Sequence, residues 1–184
     1  MWDPFEQTLN TFDKNNLVRA RIEMLEGLKI SDQSKKFLLN IGLPKLKVLL
    51  CEFDIDVPHL PTIEEYAKSQ KMIFATQKRL RRIGWDGGTQ ICLSEEDMDK
   101  GSVYAVDIKK ELTSRFINSN IEFFVGFLAL YVEECKKYYG SSDSILFTAA
   151  RKFENNLREL DPLAFADENN WWCCIVQQMK EGML

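Results

Sequence analysis

Val103-Tyr104-Ala105-Val106-Asp107-Ile108 alternates its side chains with a period of two; Ser119-Asn120-Ile121-Glu122-Phe123-Phe124-Val125 opens a run with apolar residues every three or four positions. The fold class turns on that change of period. In the first stretch Tyr104, Val106 and Ile108 fall on one side and Val103, Ala105 and Asp107 on the other, as in a half-buried strand. In the second, Ile121, Phe124, Val125, Leu128, Val132 and Cys135 line one helical stripe. Phe123, Phe127 and Leu130 widen the stripe until little of the helix can face water. A strand followed by such a helix predicts a central helix packed on a sheet. Ser119 with Glu122 predicts a capping box at the helix start.

Around this junction further strands are predicted over residues 48–55, 72–77, 89–93 and 112–117. Gly87-Gly88 and Lys100-Gly101 are turn signals between neighbouring strands. Connections so short join only antiparallel strands, because a parallel crossover needs about a dozen residues or more. Thr62 with Glu65 makes a capping box for a short helix within the meander. Nearer the N-terminus, Ser31 is an N-cap for a helix burying Phe37, Leu38 and Ile41; Gly42 closes it and Pro44 prevents its continuation. The first 30 residues read as loosely amphipathic helix, with Leu17, Ile22, Leu25 and Leu28 turned inward. Beyond the central helix, one helix carries Leu146, Ala149, Ala150, Phe153, Leu157 and Leu160. Another starts near Asp167 and carries Trp171, Trp172, Ile175, Val176 and Met179, with Asp161-Pro162 as cap and first-turn proline between them. The expected class is α+β: an antiparallel β-sheet meander flanked by N-terminal and C-terminal helices. The expected organisation is a single domain over residues 1–184, with 1–30 as an N-terminal helical extension.

Composition narrows the function. The 184 residues are 45% hydrophobic and 28% charged, enough for a well-buried core. No apolar stretch approaches the roughly 18–20 residues that cross a bilayer, so no membrane role is expected. Met1-Trp2-Asp3-Pro4 has no basic region followed by an apolar run, and a cytoplasmic location is expected. Cys51, Cys92, Cys135, Cys173 and Cys174 are odd in number, scattered and without a CxxC, which fits reduced thiols better than disulfides or zinc. A net charge of −4 disfavours nucleic acid as partner and tolerates a basic protein. The basic run Lys78-Arg79-Leu80-Arg81-Arg82 reads as a solvated edge strand or turn.

Catalytic constellations are scarce. The one histidine, His59, lies between Pro58 and Leu60 in a Pro-rich loop, a poor setting for a triad or dyad. Gly84-Trp85-Asp86-Gly87-Gly88 lacks dinucleotide-fingerprint spacing and sits between strands, where tight-turn geometry explains it. Trp171-Trp172-Cys173-Cys174 falls on the apolar stripe of the last helix, where adjacent cysteines point about 100° apart. Glu95, Glu96, Asp97 and Asp99 form an acidic loop without the calcium-loop pattern, so neither metal nor cofactor is expected. Such a loop suits capture of a basic partner, with Trp85 and Asp86 in the neighbouring turn as aromatic anchor and added charge. Trp85, Asp86, Glu95, Glu96, Asp97 and Asp99 are therefore the candidate partner-binding residues, and no catalytic residue is assigned.

Several segments, in order, resemble a known family. Phe37-Leu38-Leu39-Asn40-Ile41-Gly42-Leu43-Pro44 is similar to the opening FLxxxGLP segment of the SUKH superfamily of immunity proteins, in its fourth subfamily. Ile83-Gly84, Ile91-Cys92-Leu93 and residues 101–107 resemble that family's central strands. Residues 116–124 resemble its strand-to-helix junction, with Asn120 where a second serine is usual. Leu160-Asp161-Pro162 followed by Trp171 or Trp172 resembles its tail. The resemblance spans about residues 31 to 180 and leaves the first 30 largely outside. It implies an α+β fold and a non-enzymatic bacterial immunity protein that binds and neutralises a cognate polymorphic toxin domain, often a nuclease or deaminase. A general protein-interaction or regulatory module of the same fold, without a toxin partner, is the alternative. An enzyme or nucleotide binder using the carboxylate cluster is a third. The oligomeric state is left open.

Overall fold

The computed structural model describes residues 2–55, 57, 59–74, 76, 78–96, 100–109 and 113–183. The chain enters through α1 (Pro4–Thr11), whose cap Asp3 accepts from the Phe5 amide at 2.8 Å. A 3-10 turn capped by Asp13 leads to β1 (Leu17–Val18) and α2 (Ile22–Leu25). Next come α3 (Asp32–Asn40) and β2 (Leu43–Pro44), which pairs antiparallel with β1. The expected N-terminal helix is thus two short helices split by a turn and a strand. Pairing of Leu17–Val18 with Leu43–Pro44 demands extended backbone there, which local periodicity does not report. Leu17, Leu25 and Leu28 are buried as expected, whereas Ile22 is 61% exposed. Ser31 caps α3 as read from the sequence, its hydroxyl accepting from the Ser34 amide at 3.0 Å. Gly42 then takes the left-handed conformation, with φ +93°.

The main sheet is the expected antiparallel meander. β3 (Glu52–Phe53), β4 (Leu80–Trp85), β5 (Gln90–Ser94), β6 (Val103–Asp107) and β7 (Thr113–Asn118) lie side by side in chain order. Between β3 and β4 runs α4 (Ile63–Ser69), with the predicted reciprocal cap. The Thr62 hydroxyl accepts from the Glu65 amide at 3.1 Å, and the Glu65 carboxylate accepts from the Thr62 amide at 2.7 Å.

Two strand expectations are corrected. Over residues 48–55 only Glu52–Phe53 is strand; before it, Val48 and Cys51 bridge across Leu49 and Leu50, which have φ of +50° and +64°. Over residues 72–77 no described residue is strand, and the strand starts later, at Leu80 inside the basic run. Nor is that run a solvated edge. The buried Arg82 lies 4.2 Å over the Tyr66 ring and donates to Gln90 Oε1 at 2.8 Å and Asp54 Oδ2 at 3.0 Å. Local partners for its charge let an arginine occupy an interior strand.

The central helix α5 (Ile121–Tyr138) covers one face of the sheet. Phe124, Val125, Phe127 and Leu128 are buried in one cluster with Ile83, Ile91, Leu93, Val103, Ala105 and Ile117. The opposite face carries a smaller cluster of Ile63, Leu80, Cys92, Tyr104 and Val106. Both faces of β6 are therefore buried along Val103 to Val106, more than the half-buried strand expected.

The last helices are α6 (Asp143–Leu160) and α7 (Trp171–Lys180). The Asp161 side chain does not cap the turn after it; it reaches back to the end of β7. Its carboxylate accepts from Asn118 Nδ2 at 2.9 Å, the Ser119 amide at 2.9 Å and the Ser119 hydroxyl at 2.6 Å. Trp172 is fully buried and donates to Asn118 Oδ1 at 2.8 Å, the core role expected of it. With Ser119 committed to Asp161, the expected Ser119–Glu122 box does not form. Asn120 caps α5 instead, accepting from the Phe123 amide at 2.8 Å.

Candidate functional site

The candidate residues fall into two places. At the β4–β5 turn, Asp86 Oδ1 accepts from the Thr89 amide at 2.7 Å and the Thr89 hydroxyl at 2.9 Å, a side-chain closure of the turn. Its Oδ2 accepts from Trp171 Nε1 at 2.8 Å, fastening the turn to α7. The adjacent Trp85 is half-buried and donates from its indole nitrogen to Glu52 Oε2 at 3.2 Å. Lys47 stands 5.2 Å above the Trp85 ring and pairs with Glu52 at 2.6 Å. That hydrogen bond holds the Glu52 carboxyl below its ordinary range.

Glu95 and Glu96 follow β5, at the hairpin's other end. Because Trp85 pairs with Gln90 and Leu80 with Ser94, the length of β5 separates the two groups by roughly 17 Å. Glu95 is only 6% exposed and is engaged within the fold. Its carboxylate accepts from the Lys29 amide at 3.1 Å and from Arg81 Nε at 2.8 Å. Glu96 accepts from the Arg79 amide at 2.6 Å. Asp97 and Asp99 lie outside the described residues. The structure therefore joins Trp85 with Asp86 and sets Glu95 and Glu96 apart from them. Sequence reading missed Glu52 and Lys47 beside Trp85, and Leu50 over Gly87. Their nearness comes from the β3–β4 pairing of Glu52 with Trp85, across the α4 insertion, and no local pattern signals it.

Two of the thiols are poorly placed for covalent chemistry. All five cysteines are free. Burial pushes the Cys51 and Cys92 thiols far above their ordinary range, and Asp86 adds to the effect at Cys51. A thiol so shifted holds little thiolate near neutrality. His59 is exposed in its loop. Among the described residues no group of three or more His, Cys, Asp or Glu side chains could hold a metal, and no helix is long and apolar enough to cross a membrane. Two cavities among the described residues stand out. One, of about 220 Å³, is apolar and opens between α5, α6 and α7 at Cys135, Tyr138, Leu146, Ala150 and Met179. The other, of about 370 Å³, is lined by Lys29, Lys78, Arg79 and Arg81 together with Glu64 and Glu95.

The arrangement offers surface for contact: a half-exposed aromatic amid acidic and basic side chains at the end of a hairpin. No curated protein and no solved structure matches the chain. A family model described as SUKH-4 immunity protein matches it over residues 5–178. The match starts well before residue 31, so most of the N-terminal segment lies within the family pattern, where the sequence resemblance placed it outside. The chain belongs to the SUKH-4 immunity protein family.

Proposed function

We propose that this immunity protein binds a cognate toxin domain of a bacterial polymorphic toxin system, a nuclease or deaminase, and neutralises it in the cytoplasm of the producing cell. The family match over residues 5–178 carries the reading. Inhibition is steric and electrostatic, through tight one-to-one binding that covers the toxin and needs no chemistry from the immunity protein itself. Trp85 and Asp86 at one end of the β4–β5 hairpin and Glu96 at the other, together with Asp97 and Asp99 of the acidic run, form the contact surface. Glu95, tied to Lys29 and Arg81, acts through its negative potential.

Co-expression of the tagged chain with a candidate toxin domain, chosen as the C-terminal domain of a secreted protein that co-purifies with it from its native host, tests the function. A stoichiometric complex and rescue of growth are expected; a toxin domain that neither binds nor is silenced overturns it. Alanine at Glu95, Glu96, Asp97 and Asp99 together should slow association and flatten its dependence on salt, since complementary charge acts on encounter. An unchanged association rate removes the acidic loop from the interface.

A further inference from the structure

The seam between α5, α6 and α7 is filled along part of its length and hollow along the rest. Phe153 fills it, with its ring 6.4 Å from that of Tyr131 and 6.3 Å from that of Trp172. One turn earlier on α6 stand Ala149 and Ala150, and there the cavity of about 220 Å³ opens, walled also by Tyr138, Leu146 and Met179. Close-packed interiors seldom keep such a hollow, because its lining forfeits dispersion contacts. The wall is mostly apolar. A cavity of about 150 Å³ takes a benzene ring, so this one has room for a phenol.

A phenol stands at its mouth. Tyr139, the first residue after α5, borders the cavity and is 94% exposed. Gly140, with φ +76°, turns the chain there, and that turn asks nothing of an aromatic neighbour. Ile145 and Phe147, 48% and 45% exposed, flank Leu146 on α6. Large apolar side chains facing water thus gather within residues 139–147, and such patches mark interaction surfaces. The charge around them is balanced, since α5 ends with Glu133, Glu134, Lys136 and Lys137. A balanced surface favours a partner of neither sign, but a two-fold axis sets its acids beside the bases of its own copy. A knob beside a hole on one surface is likewise self-complementary, because the same axis carries each knob to the other's hole.

We infer that two copies of the chain pair through this corner, each lodging its Tyr139 ring in the other's cavity. This goes beyond the function proposed above and does not depend on it. The contact is reversible, so dilute protein is monomeric, with the exposed Cys135 open at the cavity.

Sedimentation equilibrium of the full chain tests it. The wild type should weigh 21.4 kDa when dilute and approach twice that mass by about 100 µM. Tyr139→Ser removes the knob and Ala149→Leu fills the hole; each should weaken pairing by about tenfold or more. In dilute solution Tyr139→Ser should melt within about 2 °C of the wild type, because the ring it loses faces water. The two variants mixed should form a dimer that neither forms alone, since one supplies the knob and the other the hole. A wild type that stays monomeric at about 500 µM overturns the pairing. So does a dimer that persists in Tyr139→Ser, or a mixture of the two variants that remains monomeric. A monomeric wild type whose cavity binds free 4-methylphenol gives the hole to another molecule and overturns the pairing as well.

Discussion

Glu122 occupies the second position of α5 and is almost fully buried, its carboxylate accepting from the Ser34 hydroxyl at 2.9 Å. Burial raises its pKa above the ordinary 4.5, and the hydrogen bonds from Ser34 and its own amide offset only part of that rise. The folded state therefore holds this proton more tightly than the unfolded chain does. The resulting stabilisation is complete below about pH 4.5 and is lost as pH rises through the folded value. Glu122→Gln, neutral throughout, should flatten this part of the profile and be more stable than the wild type near pH 7. Urea midpoints measured at about pH 4 and about pH 7 check it; an equal difference at both would refute it. The same residue shows what a local motif can hide. Thr62 and Glu65 form their reciprocal cap because each side chain accepts from the other's backbone amide. Ser119 and Glu122 have the same spacing, but Asp161 takes the first and Ser34 the second, across 42 and 88 residues of sequence.

At the scale of elements, β4 was the hardest to read, because Arg81 and Arg82 give it the look of a solvated segment. Their partners Glu95, Asp54 and Tyr66 come from elsewhere in the chain. Helix α5 was legible because burial over Ile121 to Ala129 leaves an apolar record there, broken by Glu122. Its later turns face water more than expected, and Cys135, read as part of the buried stripe, is exposed. Its one glycine had a cause that the record could not show. A Cβ at Gly126 would lie 2.8 and 2.9 Å from ring carbons of Trp2 and 3.0 Å from Pro4 Cβ. Trp2 sits there with its ring 5.7 Å from Phe123 and 6.0 Å from Phe127, which fastens α1 along α5. Gly126→Ala gains about 1 kcal/mol of helix propensity yet forces α1 away. The expected net effect is a loss of about 1–3 kcal/mol. The first 16 residues should be clipped faster by protease while helicity is retained. Unchanged clipping would mean the N-terminal segment adapts without undocking.

For the whole molecule, the order of strands and helices was legible because each period is written locally and short connections force antiparallel neighbours. The candidate site was legible only where its members adjoin in sequence, as Trp85 and Asp86 do. Folding carries Glu95 and Glu96 to the far end of the hairpin and brings Glu52 to Trp85 and Leu50 to Gly87 from more than 30 residues away. The thiols, unremarkable for chemistry, have another use at this scale. Cys51 and Cys92 are shut inside the two apolar clusters, Cys135 faces water, and Cys173 and Cys174 are half covered. A maleimide added to the native protein should label Cys135 in the first phase. Cys51 and Cys92 should wait for cooperative opening of the sheet, which intact-mass spectrometry resolves as late additions. Cys51 and Cys92 modified as fast as Cys135 would mean the sheet breathes freely. In excess toxin domain that late phase should slow further, because a partner that binds only the closed form thins the population of open molecules. The chain thus carries a pair of internal timers, one on each face of its sheet.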